Sequence, residues 1–243
     1  MNSRLNQYSF VIALSLVSSL AIASDEHGAA VAAEAYTPGK ILTQSVQASF
    51  TPDKALDTLK EGNKRFISGK PLRRDNKLNI TRTALGQFPY ASVLACIDSR
   101  VPPEVVFDQS IGDIFSARVA GNIVNDDILG SLEYAAVHGG SRVIVVLGHT
   151  ACGAVKAACD GLVEGNITQL LEKIKPSVAA SKVPGDRNSK NHAFVSDVTE
   201  LNVKDAIQTI HLKSPVLKDL ESQGKIKIVG AIYDTSNGKI TWQ

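Results

Sequence analysis

The chain has 243 residues and 44% hydrophobic content, enough for one substantial domain with its own core. A net charge of +2 and an aromatic content of 5% give no footing for a nucleic-acid partner, by charge or by base stacking. No internal repeat is visible. Met1 to Gln7 is polar with one basic residue, Arg4, and residues 8–22 are largely apolar with interspersed serines. Ala21-Ile22-Ala23 then fits a small-x-small cleavage pattern and Ser24-Asp25-Glu26 turns acidic. This reads as a secretory signal peptide over residues 1–23, with export to a bacterial periplasm. Its apolar stretch is short for a membrane span and no other segment is long and apolar enough, so no membrane attachment is expected after cleavage. Residues 24–50 are Ala-, Ser- and Thr-rich without a clear period and read as an N-terminal tail suited to packing on a partner subunit. Residues 51–243 read as a single domain.

That domain opens with a helix. Thr51 is an N-cap and Pro52 suits the first turn; Ala55, Leu56, Leu59, Phe66 and Ile67 share a face, and Gly69 ends it. Four short, β-branched apolar runs at 91–95, 114–119, 142–147 and 226–233 read as parallel strands. Between them lie helical patterns at 127–138 (closed by Gly139-Gly140), 166–181 and 196–212. Residues 182–191 read as an exposed loop. Asn237-Gly238 is a tight-turn signal that returns 239–243 as an antiparallel edge strand. The expected class is α/β: a mainly parallel central sheet of about four strands plus an antiparallel edge strand, flanked by helices.

Two motifs begin where predicted strands end. Cys96-Ile97-Asp98-Ser99-Arg100 follows the first strand, and His149-Thr150-Ala151-Cys152 follows the third. In open α/β sheets ligands gather at the carboxyl ends of strands. Two thiolates and an imidazole suit Zn2+ better than Mg2+ or Ca2+. Three protein ligands leave the fourth tetrahedral position open, as catalytic rather than structural zinc sites do. A helix starting after Cys152 favours its thiolate form. Asp98 and Arg100 add a charged pair, which on an open surface would contribute only ~0–1 kcal/mol. Cys159 lies seven residues beyond Cys152 along a predicted helix, a rise of ~10 Å, too far for a disulfide. It reads as a small buried hydrophobe.

Cys96-x-Asp98-Ser99-Arg100 with His149-x-x-Cys152, 149 − 96 = 53 residues apart, resembles the signature of the β-class carbonic anhydrases. Residues 101–124 and 126–153 resemble the segments that follow the first motif and precede the second, and the likeness extends over 52–242. The resemblance implies one Zn2+ per subunit on Cys96, His149 and Cys152. It also implies reversible hydration of carbon dioxide to bicarbonate and a proton, by attack of zinc-bound hydroxide, with no further cofactor. Asp98 and Arg100 would form a dyad beside the metal. Arg100 would hold Asp98 ionised, and Asp98 would accept a hydrogen bond from the zinc-bound oxygen or, in a closed state known in some members, itself ligate the metal.

Gln109 resembles a glutamine near bound substrate, and Gly153 would let backbone approach the reacting oxygen or serve helix entry alone. Asp113, Arg118 and Asn122 fit the family pattern and equally fit structural hydrogen bonding. His138, His192 and His211 are proton-transfer candidates whose default is a surface or packed position. Val93 stands where some relatives carry the tryptophan of a secondary bicarbonate site, which leaves that site incomplete here. The family assembles as homodimers or dimer-based oligomers. The same scaffold also admits hydrolysis of carbon disulfide or carbonyl sulfide, or a catalytically dead structural zinc protein, against which the Asp98–Arg100 pair counts.

Overall fold

Residues 35–243 are described by the computed structural model. The signal-peptide reading of 1–23, and the first part of the expected tail, lie outside the described residues. From the N-terminal side come α1 (Gln44–Ala48), α2 (Pro52–Ile67), α3 (Asn76–Thr83), β1 (Ala91–Ala95), α4 (Pro103–Val106) and β2 (Ile114–Arg118). A single 3-10 turn (Ala120–Asn122) leads to α5 (Asp126–Val137), β3 (Val143–His149) and α6 (Gly153–Cys159). The chain continues through α7 (Gly165–Leu171), α8 (Lys175–Ala180), α9 (His192–Lys213), α10 (Pro215–Ser222), β4 (Lys227–Tyr233) and β5 (Ile240–Trp242).

Among the described residues, five strands form one sheet in the order β2-β1-β3-β4-β5. The first four are parallel and β5 is antiparallel to β4, as the sequence predicts. β1 and β3 are buried along their whole length, so both faces must be apolar. Side chains alternate between the faces. Val93, Val143 and Val145 point into one cluster with Leu59 of α2, while Leu94, Ile144 and Val146 point into another with Leu132 of α5 and Ile210 of α9. Ala95 pairs with Leu147 across β1 and β3, so Cys96 and His149 leave neighbouring strands one register step apart. The topology thereby sets the two motifs side by side.

Caps set several boundaries. Thr51 accepts a hydrogen bond from the Lys54 N–H at the start of α2. At the end of α5, Gly140 takes a left-handed φ of 80° while the Gly139 N–H bonds the Tyr134 carbonyl. Besides short helices that the sequence reading does not give, the structure differs from it as follows. The expected helix over 166–181 is two helices, because Pro176 near the start of α8 has no N–H to continue the ladder from α7. α9 starts at His192 rather than 196, since the Asn191 side chain accepts from the Phe194 N–H and caps it there. Within the expected tail, residues 42–50 pack on their own domain. Leu42, Val46 and Phe50, spaced every four residues, are buried in the core, and the Phe50 ring stacks on Tyr90 with centroids 4.5 Å apart. Among the described residues, no helix is long and apolar enough to cross a membrane.

Candidate metal centre

Cys96, His149 and Cys152 are 4%, 0% and 1% exposed, and one donor atom of each lies within 4.8 Å of the others. The two sulfurs are 4.0 Å apart. Two thiolates bound at ~2.3 Å to one tetrahedral ion sit roughly 3.8 Å apart, so the spacing suits a single zinc. The imidazole fits as well. His149 Nδ1 is 2.9 Å from the Thr150 carbonyl, which can only accept, so Nδ1 carries the proton and Nε2 presents a lone pair. That Nε2 is buried and has no hydrogen-bond partner. A buried acceptor left idle beside two sulfurs is a donor that a metal ion could take, and the soft donor set suits Zn2+.

The loops are built to hold these donors. Ala151, between His149 and Cys152, sits at a left-handed φ of 56°, at a cost of roughly 1–2 kcal/mol for a residue with a Cβ. Its neighbour Thr150 is pinned: its N–H donates to the Tyr233 carbonyl, and its hydroxyl accepts from the Thr235 N–H and lies 3.0 Å from the Thr235 hydroxyl. Cys152 is the N-cap residue of α6 and makes no side-chain capping hydrogen bond. The Gly121 N–H donates to Cys96 Sγ at 3.3 Å. The sulfurs titrate as a pair. Their contact favours one thiolate and one thiol: it lowers Cys96 and, with burial, pushes Cys152 up.

Asp98 and Arg100 meet as the sequence predicts. Arg100 donates from Nε to Oδ1 at 2.9 Å and from Nη2 to Oδ2 at 2.8 Å, a two-pronged contact, and its own backbone N–H also donates to Oδ1. The guanidinium holds the Asp98 carboxyl well below the usual carboxylate range. Asp98 Oδ2 lies 3.9 Å from His149 Nε2, at the edge of the cluster. Both carboxylate oxygens are thus engaged by Arg100. Arg118 clamps the backbone beneath, donating to the Cys96 carbonyl at 3.0 Å and to the Asp98 carbonyl at 2.6 Å.

Other predicted residues fall elsewhere. The Gln109 amide accepts from the Tyr90 hydroxyl at 2.7 Å and donates to the Phe107 carbonyl at 2.6 Å; neither bond reaches the cluster. Gly153 opens α6, and a Cβ added there would meet nothing within 4 Å. Asp113 accepts from the Ser110 N–H, and burial pushes its carboxyl up to about 6. Asn122 is buried with a φ of 43°. His211 pairs with Glu221, and His138 ends α5 beside the Tyr134 ring. His192 shares a cavity of about 330 Å3 with Thr150 and Ala151, behind the turn. Val93 is a fully buried core residue of β1. Cys159 is buried, which pushes its thiol up to about 11, as suits a packing residue. Sequence reading missed Gly121, Thr235 and Asn202; only the Gly121-Asn122 pair carried a local signal, for a left-handed turn.

Comparison with known proteins agrees with this geometry. Residues 91–240 match the sequence model of the family described as carbonic anhydrase. "Carbonic anhydrase 2" of Mycobacterium tuberculosis is 34% identical over 194 residues, covering 77% of this chain and 91% of that protein. The carbonic anhydrase of Mycolicibacterium smegmatis is 34% identical over 196 residues, 78% and 92% of the two chains. Among solved structures, a tetrameric β-carbonic anhydrase of Sordaria macrospora superposes with a TM-score of 0.60 at 25% identity, covering 69% of this chain and 86% of that one. A β-carbonic anhydrase of Aspergillus fumigatus gives 0.59 at 25% identity, over 79% and 89%. Donors, sheet and sequence agree: the chain belongs to the carbonic anhydrase family, as one of its β-class enzymes.

Proposed function

We propose that the chain catalyses the reversible hydration of carbon dioxide to bicarbonate and a proton, with one zinc ion per subunit held by Cys96, His149 and Cys152. The observation that carries this reading is the buried, unpartnered His149 Nε2, set among two sulfurs within 4.8 Å, with the Asp98 carboxylate 3.9 Å away. Zinc, when bound, supplies the Lewis acidity that lets water ionise near neutral pH. The protein's part is orientation. Arg100 keeps Asp98 ionised and fixed, so that Asp98 accepts a hydrogen bond from the reacting water and turns its lone pair toward the carbon of carbon dioxide. Thr150 and Arg118 keep the two ligand loops rigid while this happens. Gly153 leaves open space at the start of α6, which supports a role in admitting substrate. A substrate role for Gln109 has less support, since both ends of its amide are engaged by its own chain.

Two wider proposals accompany this reading. Export to a periplasm rests on the signal-peptide pattern of residues 1–23. Assembly into dimer-based oligomers is supported by the tetrameric Sordaria relatives and by exposed apolar residues beside the first motif, Ile97 and Val105.

The test is stopped-flow hydration of carbon dioxide by the chain from Ser24 onward, at pH 7 and pH 9, beside Cys96→Ser. One zinc per chain, with turnover that Cys96→Ser abolishes, is the expected result. Stoichiometric zinc without turnover at either pH would overturn the reading, and turnover of carbon disulfide or carbonyl sulfide alone would redirect it to the sulfur analogues.

A further inference from the structure

Among the described residues, the backbone N–H that donates to a sulfur of the metal centre is that of Gly121, to Cys96 Sγ at 3.3 Å. Cys152, at the N-cap of α6, makes no side-chain capping bond. Gly121 lies in a 3-10 turn, with no long helical ladder to fix it. Gly121 has φ 68° and ψ 18°, and Asn122 follows at φ 43°. Gly and Asn adopt such a turn at little cost, but their freedom leaves its orientation to outside contacts.

Those contacts are visible. A Cβ on Gly121 would lie 2.7 Å from Ile174 Cδ1 and 3.2 Å from the Ala154 Cβ, so the turn is boxed in on one side. On its polar side Asn202, a 3% exposed residue of α9, donates from Nδ2 to the Gly121 carbonyl at 2.8 Å. We propose that Asn202 is a positioning residue for the metal centre: through Gly121 it aims the hydrogen bond at the Cys96 sulfur and so sets how firmly Cys96 holds a metal. The proposal rests on the reading of Cys96 as a ligand. Partners that orient ligands without touching the metal commonly change affinity 10–100-fold when removed. Asn202 acts one step further out: its effect crosses the Gly121 Cα, from the peptide unit that carries the carbonyl to the one that carries the N–H.

The experiment uses the chain from Ser24 loaded with Co2+, whose sulfur-to-cobalt charge-transfer absorption reports the state of the thiolates. Asn202→Ala is compared with Ile210→Val, a packing change on the same helix in a core cluster that holds no cysteine. Asn202→Ala is expected to release Co2+ to a competing chelator about 10-fold more readily or beyond. Its charge-transfer band should move to longer wavelength, because a sulfur that has lost a donor gives up electron density more easily. Ile210→Val should leave both unchanged. Asn202→Ser, which keeps a hydroxyl but shortens its reach, carries the same test if Asn202→Ala does not fold. Wild-type Co2+ affinity and spectrum in a folded Asn202 variant, whatever its melting temperature, would overturn the proposal. Absence of thiolate charge transfer in the wild type would remove the metal reading first and this inference with it.

Discussion

Asp98 is a short side chain with three donors of one residue gathered on it. Arg100 supplies its backbone N–H, its Nε and its Nη2, which leaves the carboxylate charged and nearly immobile beside His149. Charge and orientation can be separated by substitution. Asp98→Asn keeps the shape and removes the acceptor charge; kcat/KM for carbon dioxide is expected to fall about 10²–10⁴-fold with zinc content intact. Arg100→Ala leaves the charge but frees it, and a drop of about 10²-fold is expected, as for a misplaced catalytic group. With the guanidinium gone the Asp98 carboxyl rises from its depressed position, so the acid limb of the pH–rate profile should move to higher pH. An unchanged profile in Arg100→Ala would show that Asp98 is held by something else. At the neighbouring turn, Ala151→Gly relieves a left-handed φ and is expected to raise unfolding stability by up to about 1 kcal/mol in a denaturant titration, without loss of zinc.

Elements meet most tightly where a side chain is missing. A Cβ on Gly62 of α2 would fall 1.8 Å from the Phe107 carbonyl, just beyond α4, and 2.9 Å from Gln109 Nε2. Gly62→Ala must therefore drive α2 away from the segment that orders Gln109 and Asp108, and a loss of about 1–3 kcal/mol or more is expected by thermal melting. Gly153→Ala is the contrast: open space around its Cβ predicts a near-neutral effect on melting, so any loss of turnover there reports on the pocket rather than on folding. The same scale shows what a sequence discloses. β1 and β3 were legible because strands buried on both faces must be apolar throughout, and α2 because Thr51-Pro52 caps it openly. α1, α3, α4 and α10 were not read. Each is short, and helices of that length persist only through tertiary packing. The ligands and the Asp98–Arg100 pair could be read because their partners lie within a few residues or at the ends of adjacent strands. Asn202 could not, since its bond to Gly121 spans 81 residues and nothing near either one announces the other.

Across the whole molecule, two buried carboxylates pull pH stability in opposite directions. Burial lifts Asp113 from 3.8 to about 6, so the folded state holds that proton more tightly than the unfolded chain. Its contribution is greatest below 3.8, declines as pH rises toward about 6, and is flat above. Asp108 behaves in the reverse sense. Burial alone would raise it, but the guanidinium groups of Arg74 and Arg65 outweigh this and lower it, so its contribution is present at neutral pH and is lost on acidification. Asp113→Asn is expected to flatten the stability curve between about pH 4 and 6 and to gain up to about 3 kcal/mol at pH 7, read by urea unfolding at several pH values. A slope unchanged by the substitution would mean that Asp113 ionises normally.

Similarity and packing draw different borders on this chain. The family match begins at residue 91, yet Gln47 of α1 donates to the Pro89 and Gly139 carbonyls, and Tyr36, Phe50 and Tyr90 lean on one another as an aromatic stack. A gene trimmed to the matched region would strip that lining, Tyr90 with it, from one face of the sheet and leave Val93 and Phe107 bare to water. Such a fragment would keep every metal donor and still be expected to aggregate. For anyone grafting this centre into another protein, the portable unit is therefore the sheet together with its N-terminal strap, not the stretch over which relatives align.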